Sequence, residues 1–375
     1  TMINNILFSC FALLIFAGCA KDDMEYNDPQ VTPVESLYAP LENQKVTLST
    51  QAGANLLFQW APSHAQDGQL VAYEVVFYKE SDLNNPIYRI VSDNTGKELY
   101  ARITHLDINK AASAAGIPTG ETGTIYWSVA SWRGISSAVC PQKNKLTVTR
   151  LEGFEVIPDN VFITGDATET GADLSKAILM QKTSEGRFEV YTRLNNQGSF
   201  FFTDRTSGTA EQYYINEEGK LADADNGEKS DMDEMGVYRI TLDFTNKGVS
   251  TTKITKMGVF FSPQNRVIMD LPYVGLGVWS GTGVVTFRQE SWGKDERYKL
   301  QMETSSGIAQ FGALNPTDSR PGADAPASYY FVKLLDRTSQ WDDKWKFATE
   351  MDGANVTATV KLQGGAPYTH SFKKN

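Results

Sequence analysis

The apolar residues of this chain are cut into short pieces, and that punctuation limits the fold more than any other feature. Runs such as Leu56-Leu57-Phe58-Gln59-Trp60, Tyr73-Glu74-Val75-Val76-Phe77-Tyr78 and Tyr126-Trp127-Ser128-Val129 are separated by Gly, Asn and Asp, and long helical periodicity is nearly absent. Alternation puts Leu56, Phe58 and Trp60 on one face of a strand. A strand with one apolar face has to bury it against a second sheet, so many short strands imply β-sandwiches or barrels. The expected fold class is all-β, built as tandem β-sandwiches, with Trp60 and Trp127 packed in the first core. A local exception is Thr104-His105-Leu106-Asp107, a capping-box-like pattern that predicts a short helix ending near Gly116.

The N-terminus carries a different signal. Residues 6–17 are apolar except for Ser9 and Cys10. That run is too short for a permanent bilayer span of roughly 20 residues, but it matches the apolar centre of a secretory signal peptide. The usual basic n-region is missing from Thr1–Asn5. Phe16-Ala17-Gly18-Cys19 resembles a lipobox, which predicts cleavage after Gly18 and lipidation of Cys19. Behind it, Ala20-Lys21-Asp22-Asp23 resembles the acidic export tag of Bacteroidetes surface lipoproteins. Residues 19–35, polar and holding Pro29 and Pro33, read as a lipidated tether. Once the signal is removed and Cys19 modified, Cys140 is the only thiol left. That excludes an intrachain disulfide framework and a cysteine-based zinc site. A net charge of −10 argues against nucleic acid and other polyanions and favours neutral ligands. The acidic stretch 223–234 lacks the alternating oxygen ligands of an EF-hand loop and reads as a solvated loop, so neither metal nor cofactor is expected.

Tyr38-Ala39-Pro40-Leu41-Glu42-Asn43, Leu57-Phe58-Gln59-Trp60, Ile103-Thr104-His105-Leu106-Asp107 and Ile125-Tyr126-Trp127-Ser128-Val129 follow one another over roughly 115 residues. In order and spacing they resemble the N-terminal domain of SusE-type outer-membrane lipoproteins. The resemblance implies an Ig-like spacer at 36–152, followed by C-terminal sandwiches that bind polysaccharide, with starch as the prototype. It also implies work at the outer-membrane surface, facing the cell exterior, beside a SusC/SusD-like uptake complex. The remainder divides into a sandwich at 153–255 and a C-terminal glycan-binding sandwich at 256–375, both resembling carbohydrate-binding modules. These two read as diverged copies. Gly186–Tyr191 is echoed by Glu296–Leu300, Gln212–Ile215 by Ser328–Phe331, and Tyr238–Leu242 by Asn355–Val360.

Signals of catalysis are poor. The three histidines, His64, His105 and His370, fall in two separate units and far apart, and no H-E-x-x-H, G-x-S-x-G or P-loop pattern occurs. Sugar binding asks for exposed aromatics that stack on the apolar face of a pyranose, with polar neighbours for its hydroxyl rim. Of seven tryptophans, four lie in the last unit and none in the second, so one main site is expected there. If 273–279 is a strand, Val274, Leu276 and Val278 face the core, and Tyr273 and Trp279 flank an exposed floor of Gly275 and Gly277. The alternative is that the glycines make room for Trp279 to pack. Trp341-Asp342-Asp343-Lys344-Trp345 offers two indoles with Lys344, or a core edge with one indole turned inward. Trp292 sits in a polar turn, and Arg320 is a loop residue able to hydrogen-bond a ligand. The expected carbohydrate-binding set is thus Tyr273, Trp279, Trp292, Arg320, Trp341, Lys344 and Trp345. Two other readings compete: a structural or adhesive surface lipoprotein, and a divergent surface glycosidase acting through a carboxylate pair.

Overall fold

In the computed structural model, residues 29–375 are described, apart from Ala52. The signal peptide, Cys19 and the first part of the tether lie outside the described residues. The end of that tether is not free. Val31 bridges to Ala65, Thr32 N donates to His64 O at 2.9 Å, and Val34 is fully buried in the first core. Two valines supply enough apolar area to hold residues 31–34 on the sandwich, which corrects the reading of 19–35 as tether throughout.

The chain is all-β and forms tandem sandwiches, as its punctuation predicts. In the first, a sheet of Leu37–Ala39, Asn55–Trp60 and Tyr100–Thr104 faces a six-stranded sheet that includes Ala72–Lys79, Thr122–Arg133 and Asn144–Thr149. Phe58, Trp60, Phe77 and Trp127 fill the space between, with Phe58 set edge-on to Trp127 at 4.9 Å. Burying each such side chain contributes about 1.5–3 kcal/mol. The predicted helix spans His105–Ala114, with the Thr104 side chain accepting from Asp107 N at 3.1 Å and Gly116 following in a left-handed conformation. Cys140 is buried in this core.

The two C-terminal sandwiches are fused through one sheet. Gln181–Ser184, Arg187–Leu194, Gly236–Asp243 and the long strand Gly248–Phe261 continue into Arg297–Thr304, Gly307–Ala313 and Val332–Leu334. The boundary expected between residues 255 and 256 falls inside Gly248–Phe261. Alternation lets the shared sheet serve two cores at once. Phe188, Val190, Tyr238, Ile240 and Leu242 point to one face, where a five-stranded sheet closes the second sandwich. Tyr191, Val237 and Ile254 point to the other face, where they join Val259, Phe261, Leu300 and Phe311 under the sheet Tyr273–Gly275, Val278–Val285, Ala354–Lys361 and Thr369–Lys374. A register shift between Ile254 and Lys256 switches the parity, so that Met257, Val259 and Phe261 face the same core as Ile254.

The expected internal copies do not share a topology. Gln212–Ile215 is a strand, whereas Ala327–Tyr330 is a 3₁₀ turn. Arg187–Leu194 pairs directly with Gly236–Asp243, while their supposed counterparts Arg297–Thr304 and Ala354–Lys361 lie in opposite sheets. Among the described residues no helix is long and apolar enough to cross a membrane.

Candidate functional site

The residues singled out in the last unit separate into a buried set and an exposed set. Tyr273 and Trp279 belong to the first. Gly275, Leu276 and Gly277 all take positive φ (130°, 48° and 73°), so the segment is not one strand but a hairpin with Tyr273 opposite Trp279. The expected faces are therefore inverted. Val274 and Leu276 are exposed, while the Tyr273 and Trp279 rings meet at 4.9 Å and Trp279 is only 2% exposed. Tyr273 is half-buried, and its hydroxyl donates to Glu169 Oε2 at 2.6 Å and accepts from Gly277 N at 2.9 Å. Burial, then the Glu169 carboxylate, pushes the phenol well above its ordinary pKa. Trp279 offers no face to a sugar, and Arg193 covers one face of the Tyr273 ring at 5.0 Å. A Cβ on Gly277 would stand 2.7 Å from Leu362 O at a φ that disfavours any side chain. Gly277→Ala is therefore expected to cost about 1–3 kcal/mol, read as a lower midpoint in denaturant unfolding.

Trp345 is likewise a core residue, 1% exposed, and not a platform. It lies in the short strand Trp345–Lys346 opposite Tyr298, its indole stacks on Tyr298 at 5.6 Å, and its Nε1 donates to Tyr329 O at 2.9 Å. His370 packs 4.3 Å from it, between Tyr298 Oη (2.8 Å from Nε2) and Tyr330 O (3.0 Å from Nδ1). A carbonyl can only accept, so Nδ1 carries the proton and Nε2 accepts from the tyrosine. Full burial pushes the imidazole down from 6.5 to about 3. The unfolded chain thus binds a proton that the folded state refuses, and this contribution to stability is present above pH 6.5 and lost as pH falls toward 3. Unfolding free energy is expected to drop by about 1.4 kcal/mol per pH unit in that window from this group. His370→Gln should flatten the slope in urea titrations repeated between pH 7 and pH 4, and an unchanged slope would contradict the assignment.

Trp292 and Trp341 remain outside, 66% and 40% exposed. Trp292 occupies the two-residue turn of a hairpin, Arg288–Glu290 with Gly293–Asp295. Trp341 follows a tight turn in which Ser339 Oγ accepts from the N–H groups of Trp341 and Asp342. Both segments hang from the Ser262–Gln264 turn, because Arg288 Nη1 donates to Pro263 O and Gln340 Nε2 donates to Ser262 O at 2.8 Å. The Arg297 guanidinium lies 4.2 Å from the Trp341 ring and is held in turn by Asp295. Burial pushes the Asp295 carboxyl up, but the hydrogen bonds and charge of Arg297 outweigh it and hold the group below its ordinary pKa.

Arg320 and Lys344 fall at the same end of the unit, though both are engaged. Arg320 forms a two-point contact with buried Glu296 at 2.7 and 2.9 Å, and Lys344 Nζ reaches Asp318 at 2.7 Å. Beside Trp341 runs a hollow of about 360 Å³ lined by Phe260, Arg266, Gln301, Ile308, Gln310 and Gln340. Gln310 is buried, its Nε2 donating to Gln301 Oε1 at 3.2 Å and its Oε1 accepting from Ser339 N at 2.9 Å, so that it positions the half-buried amide of Gln301. Sequence reasoning passed over Arg297 and these glutamines. Their signal was the alternation of Arg297, Lys299, Gln301 and Glu303 with Tyr298, Leu300 and Met302, a polar face on a core strand. An exposed indole backed by a fixed cation, beside amides in a shallow hollow, is suited to a flat apolar surface edged with hydroxyls. Among the described residues no group of His, Cys, Asp and Glu could hold a metal ion.

Fold and surface together define a tandem β-sandwich protein with an aromatic-bearing terminal unit. The family model described as SusE outer membrane protein matches residues 21–130, so the N-terminal region of this chain is SusE-like. Among solved structures, the crystal structure of SusF from Bacteroides thetaiotaomicron aligns at 11% identity over 92% of this chain and 76% of that one, with a TM-score of 0.26. No curated protein matches the sequence.

Proposed function

We propose that this protein binds neutral polysaccharide or oligosaccharide at the outer-membrane surface, held there by lipid on Cys19, and presents it to a SusC/SusD-like uptake system. The observation that carries the reading is Trp341. Its indole is 40% exposed while the Arg297 guanidinium lies 4.2 Å away, so the ring is presented to solvent against a cation. Trp292 on the adjoining hairpin provides a second ring, and the amides of Gln301 and Gln340, both half-buried, provide hydrogen bonds for hydroxyls. The match of residues 21–130 to an outer-membrane family supports the location. Binding is favoured over hydrolysis because the buried carboxylates at this end of the unit, Asp295 and Glu296, are each held by a guanidinium and neither is free to act as a proton donor.

Native gels cast with starch, pullulan, dextran, xyloglucan or mannan test the reading. At least one polysaccharide should retard the protein. No retardation in any gel would overturn it in favour of an adhesive or structural role, and release of reducing ends would favour the glycosidase.

A further inference from the structure

The exposed apolar side chains of the first sandwich gather at one end. On the outer face of its six-stranded sheet, Trp132 pairs with Ala72 and Ser137, Val139 with Ala130, and Val91 with Glu74. Trp132, Val139 and Val91 are all exposed. The patch runs off the sheet at the hairpin joining Thr122–Arg133 to Ser136–Val139, whose two-residue turn is Gly134-Ile135. Gly134 has a φ of 61°, as such a turn requires. The position after it usually holds a small polar residue, and here it holds an isoleucine that is 90% exposed. Ile135 is part of no core cluster among the described residues. Leu70 is exposed as well, on the loop that Asp67 fastens to Arg133 at 3.2 Å.

The same end of the sandwich receives the N-terminal chain. Gln30 O accepts from Gln66 N at 2.8 Å, Val31 bridges to Ala65, and Ser131 Oγ donates to Thr32 O at 2.8 Å. Those partners flank Leu70 and Trp132 in sequence. The ten residues from Cys19 to Asp28 reach at most about 36 Å when fully extended. Thr122–Arg133 is itself about 40 Å long. The second unit joins at the other end of that strand, where Gly120 N donates to Leu151 O at 2.9 Å and Arg187 Nη2 to Thr50 O at 2.6 Å. A lipid on Cys19 therefore keeps the Ile135 end within reach of the membrane and leaves the other two sandwiches at the far end. The charged groups at the rim are paired, Arg133 with Asp67 and Arg89 with Glu74. A strongly charged partner gains little there, whereas a layer of zwitterionic headgroups over acyl chains matches an indole and bare aliphatic side chains.

We infer that the Gly134-Ile135 hairpin is a second membrane contact, in which Ile135, Trp132 and Leu70 enter the interface of the lipid layer that holds Cys19. The first sandwich then stands on end at the membrane. Intrinsic affinity can be weak, because a short tether already confines the hairpin to the surface at a high effective concentration. The inference rests on the lipid anchor of the reading above, but on none of the residues proposed to touch glycan.

The full-length lipidated protein in phosphatidylcholine vesicles tests this. Cys140 is buried, so a cysteine placed on the surface takes a nitrobenzoxadiazole label selectively. Ser137→Cys, beside Trp132, reports on the patch, and Glu121→Cys, exposed just ahead of the far end of the same strand, is the control. Flotation with the vesicles reads the anchor, and quenching by nitroxide-labelled phosphatidylcholine reads contact with the lipid. The label at 137 should lose most of its emission and the label at 121 should keep it. Ile135→Asp or Trp132→Ala in the Ser137→Cys protein should each weaken the docked state about tenfold, the size of one lost buried apolar side chain, and restore emission. If the protein floats but the two labels are quenched alike, the membrane contact is overturned and the anchor stands. Emission at 137 that then changes with protein density assigns the patch to a second copy, and emission that does not assigns it to a different protein partner. Quenching at 137 that survives both substitutions also overturns the assignment. If the protein does not float, the anchor on Cys19 falls and this inference with it.

Discussion

Replacing Trp341 with alanine is expected to remove most of the retardation that the wild-type protein shows in a glycan-containing gel, with little change in stability. Exposed aromatics at the centre of a contact surface typically cost at least about 2 kcal/mol on truncation, roughly thirtyfold in affinity. The indole is backed by Arg297 on one side and is not part of any buried core cluster. Its removal should therefore shift unfolding by no more than about 0.5 kcal/mol, as for other surface substitutions. Trp292→Ala should act in the same direction, and its hairpin should survive because Arg288 still anchors it to Pro263. If Trp341→Ala runs as slowly as the wild type in the retarding gel, the proposed surface is not where glycan binds.

The opposite outcome is expected for Trp345→Ala. Removing a fully buried tryptophan costs about 3–5 kcal/mol, a large part of the roughly 5–15 kcal/mol that keeps a domain folded. It also leaves Tyr329 O without the indole donor and takes away the ring on which Tyr298 and His370 pack. The damage should not stop at the third unit. Tyr298 lies in Arg297–Thr304, which pairs with Gly248–Phe261, and that strand pairs in turn with the second unit. Calorimetry should show one transition shared by the two C-terminal sandwiches moving to lower temperature, while a transition belonging to the N-terminal sandwich stays in place. Independent melting of the second and third units would contradict the shared sheet.

Local patterns in the sequence were sufficient for what depends on local chemistry. Phe58, Trp60 and Trp127 could be placed in a core by alternation, and Thr104 could be read as a cap from the residues that follow it. The candidate site was harder because each decision turned on a distant partner. Nothing within Trp341-Asp342-Asp343-Lys344-Trp345 says which indole turns inward. Tyr298 decides it by pairing with Trp345, and Arg297, its neighbour in sequence, meets Trp341 from outside. The Tyr273–Trp279 segment misled for another reason. Period-two alternation holds only while the chain runs straight, and Gly275-Leu276-Gly277 is a glycine-flanked turn whose signal competes with the apolar pattern on either side. The shared strand was hidden by its own register shift. Val249 and Val259 stand at odd positions yet serve opposite faces, so the composition of Gly248–Phe261 changes midway and resembles a boundary.

A strand that belongs to two sandwiches also leaves them without a hinge. Binding modules strung on flexible linkers swivel to follow a polymer, and almost any chain conformation can reach them all. Here the bearing of the third sandwich relative to the second is set by a continuous row of main-chain hydrogen bonds. Any partner long enough to touch both must adopt the path the protein dictates.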